Sequence, residues 1–157
     1  MDKLPPYLSQ PPQDGKMLNR TERTACAVMS VVLVLLLGVA SLLTPNPAGH
    51  GTHRQLGLPG CTMVTIFGIR CPGCGMTTSW AHTLNGDIEG GLRANTAGVM
   101  LCLFASLSVP FLIAMSMRGV RSRGNWMSRL AITLLFLILS ISVLEWLIRM
   151  ASGRALW

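Results

Sequence analysis

Three long apolar stretches alternate with polar segments along the chain, and their lengths predict its architecture. The first, Ala25 to Leu43, carries no charged residue. A helix rises about 1.5 Å per residue, so this stretch matches the roughly 30 Å hydrocarbon core of a bilayer. Arg20 and Arg23 precede it; Pro45 and Pro47 follow it, and proline resists helix continuation. The second stretch, Ala94 to Met117, is closed by Arg118. Pro110 lies inside it and predicts a bend, since proline removes a backbone hydrogen bond. The third runs from Leu130 to Ile148 and is uncharged until Glu145. A cleaved signal peptide competes for the first stretch, with small residues at Gly38 and Ala40. Apolar residues continue past both, however, and the preceding leader is long. The pattern predicts an all-α integral membrane protein with three transmembrane helices, at about 25–43, 94–117 and 130–148. Residues 25–150 are expected to form a single membrane domain, after a disordered cytoplasmic leader (1–24) and before a short tail (151–157).

The connecting segments refine this layout. Pro5, Pro6, Pro11 and Pro12 among polar residues read as an extended leader. The first loop, 44–93, opens with Gly and Pro punctuation that fixes turns. A short apolar stretch, Met63 to Ile69, is too short to span and suits the membrane surface. Cys71-Pro72-Gly73-Cys74 then predicts a helix start, because proline favours the first helical position. Met76, Trp80, Leu84 and Ile88 recur every four residues and predict an apolar stripe against the bilayer or the other helices. Asn85-Gly86 ends that helix, and Asp87 can cap a second one running toward Asn95. One or two short amphipathic helices are therefore expected in the loop.

Charge sets the expected orientation. Only 12% of residues are charged and half are apolar, yet the net charge is +7. The cations flank the apolar stretches: Lys3, Lys16, Arg20 and Arg23 before the first, and Arg118, Arg121, Arg123 and Arg129 between the second and third. Lys and Arg collect on the cytoplasmic side, so the N-terminus is expected there and the 44–93 loop outside. No basic-aromatic stripe accompanies these charges, and nucleic acid is not an expected partner. Glu145 and Arg149 stand four apart and can pair on one helix face. Near a helix end, an interfacial pair with Arg149 reaching for headgroups is favoured over a carboxylate lining an intramembrane site.

Cysteine carries the candidate chemistry. Cys26 and Cys102 fall inside apolar stretches and read as small packing residues. Cys61, Cys71 and Cys74 share the first loop. In a redox reading, the helix N-terminus stabilises a thiolate, with Cys71 as nucleophile and Cys74 resolving the mixed disulfide. In a metal reading, Cys61, Cys71 and Cys74 ligate zinc or another transition metal ion. His50 and His53 are possible fourth donors there, while His82 is too far along the helix. In a structural reading, two of the three form a staple, which persists in an oxidising compartment. Cys-x-x-Cys alone does not separate these. Thr77, Thr78 and Ser79 are expected to satisfy local backbone groups at the helix start.

Taken together, these positions resemble a bacterial membrane family, domain of unknown function 2752. Its members carry an upstream cysteine, a glycine, then Cys-Pro-x-Cys-Gly-x-Thr, a short helix, a Gly-Asp step and an Asn heading an apolar helix. Here those are Cys61, Gly68, Cys71, Pro72, Cys74, Gly75, Thr77, Gly86, Asp87 and Asn95. The family motif continues with Arg where this chain has Thr78; Arg70 is the nearest electrostatic substitute. The resemblance implies a multi-pass protein of the bacterial cytoplasmic membrane but no activity. The expected function is a small membrane module with an outward-facing Cys-x-x-Cys site in thiol redox or metal chemistry; the alternative is a non-enzymatic helper subunit with a structural disulfide. Its expected partners are the lipid bilayer and a membrane protein or second copy of the chain.

Overall fold

A computed structural model describes residues 15–122 and 126–152. Its elements in chain order are β1 (Gly15–Met17), α1 (Arg20–Leu42), a 3-10 turn (Thr52–Leu56), α2 (Thr62–Phe67), α3 (Met76–Leu84), α4 (Ile88–Ala94), α5 (Thr96–Arg118), β2 (Val120–Ser122) and α6 (Trp126–Ala151). Helices α1, α5 and α6 are long and apolar enough to cross a membrane. The protein is therefore an all-helical, multi-pass membrane protein, apart from the three-residue ribbon in which β1 and β2 pair antiparallel. The leader expected over 1–24 falls on residues outside the description up to 14; from Gly15 onward the chain is strand and then helix. Of the expected tail, residues 153–157 lie outside the described residues.

Helix α1 starts five residues before its apolar run because a polar capping box begins it. The Asn19 side chain accepts from the Glu22 N–H at 2.8 Å, and Glu22 accepts from the Asn19 N–H at 2.9 Å. At the same end Arg23 donates from Nε to the Ser116 carbonyl (2.9 Å) and from a terminal nitrogen to the Met117 carbonyl (3.2 Å). These are orphan carbonyls of the last turn of α5, where a cation also suits the helix dipole. Helix α5 continues unbroken through Pro110 and stops at Gly119, which adopts φ +64°.

The short helices of the first loop pack at the opposite end of α5. The packing face of α3 is Thr78, Ser79, Ala81 and Thr83, all buried. It meets a face of α5 and α4 built from Ala94, Ala97, Gly98, Val99 and Cys102. These residues are small, so the backbones approach closely: a Cβ on Gly98 would lie 2.9 Å from Ser79 Oγ. Cys102 is fully buried here, as a packing thiol. The predicted stripe of Met76, Trp80, Leu84 and Ile88 is not the buried face. Met76, Trp80 and Leu84 are half-buried, and Ile88 is exposed at the start of the next helix. Close contact selected small side chains, and the large ones turned outward. Along α1 and α6, Leu35, Leu36, Phe136 and Leu139 are exposed, which is the surface a bilayer covers.

Candidate thiol site

Two of the three loop cysteines, Cys61 and Cys71, meet where α2 and the Cys71–Cys74 turn converge. Cys61 is the N-cap of α2. Six helical residues later Gly68 adopts φ +65° and turns the chain back, which brings Cys71 under Cys61. Their sulfurs lie 3.5 Å apart, within S–H···S reach. Cys74 is buried behind them.

The predicted helix start at Cys71 is displaced. Pro72 to Gly75 form a turn, and α3 begins only at Met76. Gly75 is the cause. Its φ is +87°, and a Cβ there would sit 2.6 Å from the Ala94 carbonyl and 2.7 Å from the Gly49 carbonyl. Only glycine fits this crossing of three backbones. Cys71 is thus not at a helix N-cap; Cys61 is.

Ionisation follows that geometry. Burial works against a Cys61 thiolate, but the Val64 and Met63 backbone N–H groups and the Cys71 thiol outweigh it, so the Cys61 pKa is lowered. Those amides approach the sulfur without a cap hydrogen bond of full geometry. The Cys71 thiol is pushed up to about 11, by burial first and then by its bond to Cys61 and the charges of Cys61 and Cys74. Burial and the Cys61 charge also raise Cys74, against the opposing pull of Arg70 and Arg149. Of these thiols it is Cys61, at the helix N-cap, whose ionisation is eased, and Cys71 whose ionisation is opposed.

The turn itself is held by membrane helices. Asn95, the buried N-cap of α5, donates from Nδ2 to the carbonyls of Cys74 (3.2 Å) and Pro72 (3.3 Å), and its Oδ1 accepts from the Gly98 N–H (2.7 Å). Ser142 Oγ of α6 donates to the Pro72 carbonyl at 3.2 Å, and Trp146 Nε1 donates to the Arg70 carbonyl at 2.8 Å. Arg149 pairs with Glu145 and donates to the Ala94 carbonyl at 3.1 Å, while Glu145 accepts from the Thr96 N–H at 3.2 Å. This pair points inward at the α4–α5 junction, not toward headgroups. The carboxylate meets a helix N-terminus and the guanidinium a helix C-terminus. Sequence reading missed Ser142 and Trp146; their only signal was a hydrogen-bonding side chain within an apolar stretch.

The sulfurs open onto a cleft of about 510 Å³, lined by Asn46, His50, His53, Arg54, Cys61, Cys71, Cys74 and Thr77 among others. Two of the hydroxyls expected to bond locally, those of Thr78 and Ser79, instead join elements. Thr78 Oγ1 lies 2.8 Å from Thr52 Oγ1 with both residues fully buried, and Ser79 Oγ donates to the Asn95 carbonyl at 3.0 Å. His50 Nδ1 bonds the Ala48 carbonyl at 2.9 Å and His53 Nε2 the Pro59 carbonyl at 3.2 Å. His82 is bound to Asp87 at 2.8 Å. Among the described residues, no three His, Cys, Asp or Glu side chains converge into a set that could hold a metal ion.

The family model described as "Protein of unknown function (DUF2752)" matches residues 61–109. That segment holds all three loop cysteines and Asn95, and stops short of α6. No curated protein and no solved structure matches the chain.

Proposed function

We propose that this protein is a membrane-embedded thiol–disulfide exchange module whose working pair is Cys61 and Cys71. One observation carries the reading: two sulfurs 3.5 Å apart on an open cleft, one whose ionisation is eased and one whose ionisation is opposed. The Cys61 thiolate attacks one sulfur of a substrate disulfide, forms a mixed disulfide and expels a thiolate. Cys71, losing its proton to that leaving group, attacks the Cys61 sulfur. The second substrate thiolate leaves and takes up the proton released from Cys61. The substrate gains two electrons; the Cys61–Cys71 pair loses them. Run backward, the same steps oxidise a dithiol.

The pair lies at the end of the bundle opposite Arg23 and Arg118. With the cations on the cytoplasmic side, it faces outward from a bacterial cytoplasmic membrane, where disulfides persist. Cys74, which the sequence offered as the resolving thiol, becomes a buried third sulfur.

The test is differential alkylation of intact cells, read by mass spectrometry at each cysteine. We expect a Cys61–Cys71 disulfide that opens with mild reductant and survives Cys74→Ser. A Cys71–Cys74 disulfide, or three free thiols under oxidising conditions, would overturn the assignment. A Cys61–Cys71 bond that resists reduction would make the pair a staple, as in a non-enzymatic helper subunit. The metal reading, with Cys61, Cys71 and Cys74 binding zinc or another transition metal ion, has less support from the donor geometry. It requires stoichiometric metal in protein purified without chelator.

A further inference from the structure

We infer that the cleft beside Cys61 and Cys71 selects small disulfides carrying carboxylates; this rests on the exchange function proposed above. The observation is an imbalance of charge. Among the described residues no Asp or Glu lines the cleft, whereas Arg54 does. Arg70 stands behind its wall, with a terminal nitrogen 3.4 Å from the carbonyl of Ala48, which lines it. The acidic residues described at this end are already matched: Asp87 with His82, Glu89 with Arg93 and Glu145 with Arg149. Among the described residues, Arg54 and Arg70 enter no ion pair, and Arg70 Nε is buried without a hydrogen-bond partner. Two guanidinium groups outside any described ion pair therefore belong to the cleft onto which the thiol pair opens, Arg54 in its lining and Arg70 against Ala48 of its wall.

A cleft walled by low-dielectric protein focuses such a field and raises the local concentration of counter-charged ligand. Guanidinium groups also present paired donors that match a carboxylate. The volume of about 510 Å³ suits a small molecule. In exchange, each thiolate expelled beside Arg54 is itself an anion, so the same charge favours departure of electrons onto the substrate. Arg54 acts here as a specificity residue; Cys61 and Cys71 carry the bond-breaking steps.

The full chain in phosphatidylcholine nanodiscs is reduced and mixed with either dithiodipropionate, a dianion, or cystamine, a dication of similar length. Oxidation of Cys61 and Cys71 is followed by quenched alkylation. Each rate is divided by that of the same disulfide with dithiothreitol, which removes the difference between the leaving groups. We expect the normalised rate to favour the dianion by about tenfold at low ionic strength and to converge as salt screens the field. Arg54→Gln should narrow the ratio, and Arg54→Glu should invert it; Arg54 is exposed, so both should fold. A wild-type ratio of one or less, with both disulfides reacting, would overturn the charge selection and leave the exchange reading intact. Reaction of neither disulfide with the pair would sink the exchange reading and this inference with it.

Discussion

Asn95 Nδ2 donates to the carbonyl of Cys74 at 3.2 Å, so the cap that starts a membrane helix also holds the cysteine turn. The same amide satisfies Pro72, and its oxygen satisfies the first turn of α5. Asn95→Ala removes a helix cap, which costs about 1 kcal/mol, and takes the side-chain donor from the buried Cys74 carbonyl, at about 1–3 kcal/mol, while Ser142 still donates to the Pro72 carbonyl. Asn95→Asp retains the cap oxygen and loses both donors. We expect both variants to lower thermal stability in detergent, Ala more than Asp. Both should also slow closure of the Cys61–Cys71 disulfide, since Asn95 fixes the turn bearing Cys71. Equal stability of Asp and wild type would show the Cys74 carbonyl to be otherwise satisfied.

Alkylation against pH should separate the thiols. Cys61, lowered, reacts first as pH rises; Cys71 follows only near its value of about 11. Cys61→Ser removes a charge and a hydrogen bond that raise Cys71, so Cys71 then reacts at lower pH, while burial still holds it above the ordinary value. The stability contributions run in opposite directions. That of Cys71 is full below the unfolded value of about 9 and is lost as pH rises toward 11. That of Cys61 is present above the unfolded value and is lost as pH falls through its lowered one. Cys71 reacting ahead of Cys61 would reverse the order assigned here.

The Glu145–Arg149 pair bridges α6 to both helices at the α4–α5 junction. Its side chains are 23% and 19% exposed, so each partner is screened only in part. Arg149→Met should cost about 2 kcal/mol, because it leaves the Ala94 carbonyl and a carboxylate without their donor. Arg149→Lys should recover only part of this: a single terminal nitrogen of Arg149 donates to both acceptors, and an ammonium must reach the same point from a shorter side chain. Chemical denaturation in mild detergent checks the order wild type, Lys, Met.

A double-mutant cycle tests the Thr52–Thr78 bond. Thr52 Oγ1 also accepts from the Asn46 N–H at 3.0 Å, so Thr78→Val strands one hydroxyl and Thr52→Val strands both a hydroxyl and an amide. We expect about 1–2 kcal/mol for Thr78→Val, more for Thr52→Val, and a double variant milder than the sum. Strict additivity would mean the two hydroxyls do not interact.

The membrane helices were legible because a charge-free stretch of such length has few other uses. Their ends were less so: α1 extends back to Arg20 through a polar capping box, which hydropathy does not register. The loop cysteines were legible in the sequence, and which two of them lie in contact was not. Proline at position 72 argued for a helix start at Cys71, but Gly75 is crossed by the backbones of Gly49 and Ala94, both distant in sequence. The partner of Cys71 depended on the turn at Gly68, which no spacing rule encodes. Thr78 stands where the resemblance led us to expect Arg. Fully buried against Thr52, the position offers a bulky cation no room, whereas Arg70 lies close enough to act on Cys74.

The anchoring of the cysteine turn by later helices has a consequence for biogenesis. Asn95 follows Cys74 by about twenty residues, and Ser142 and Trp146 follow it by about seventy. At a synthesis rate of about 5–20 residues per second, Cys61, Cys71 and Cys74 exist for several seconds before α6 arrives to fix their carbonyls. During that interval nothing in the turn yet distinguishes the three pairs of thiols, and only Cys61 and Cys71 end with sulfurs 3.5 Å apart. On the exchange function proposed above, a bond closed too early between the other pairs would have to be reshuffled as α6 inserts, which would make the last helix the proofreader of a bond it does not contain.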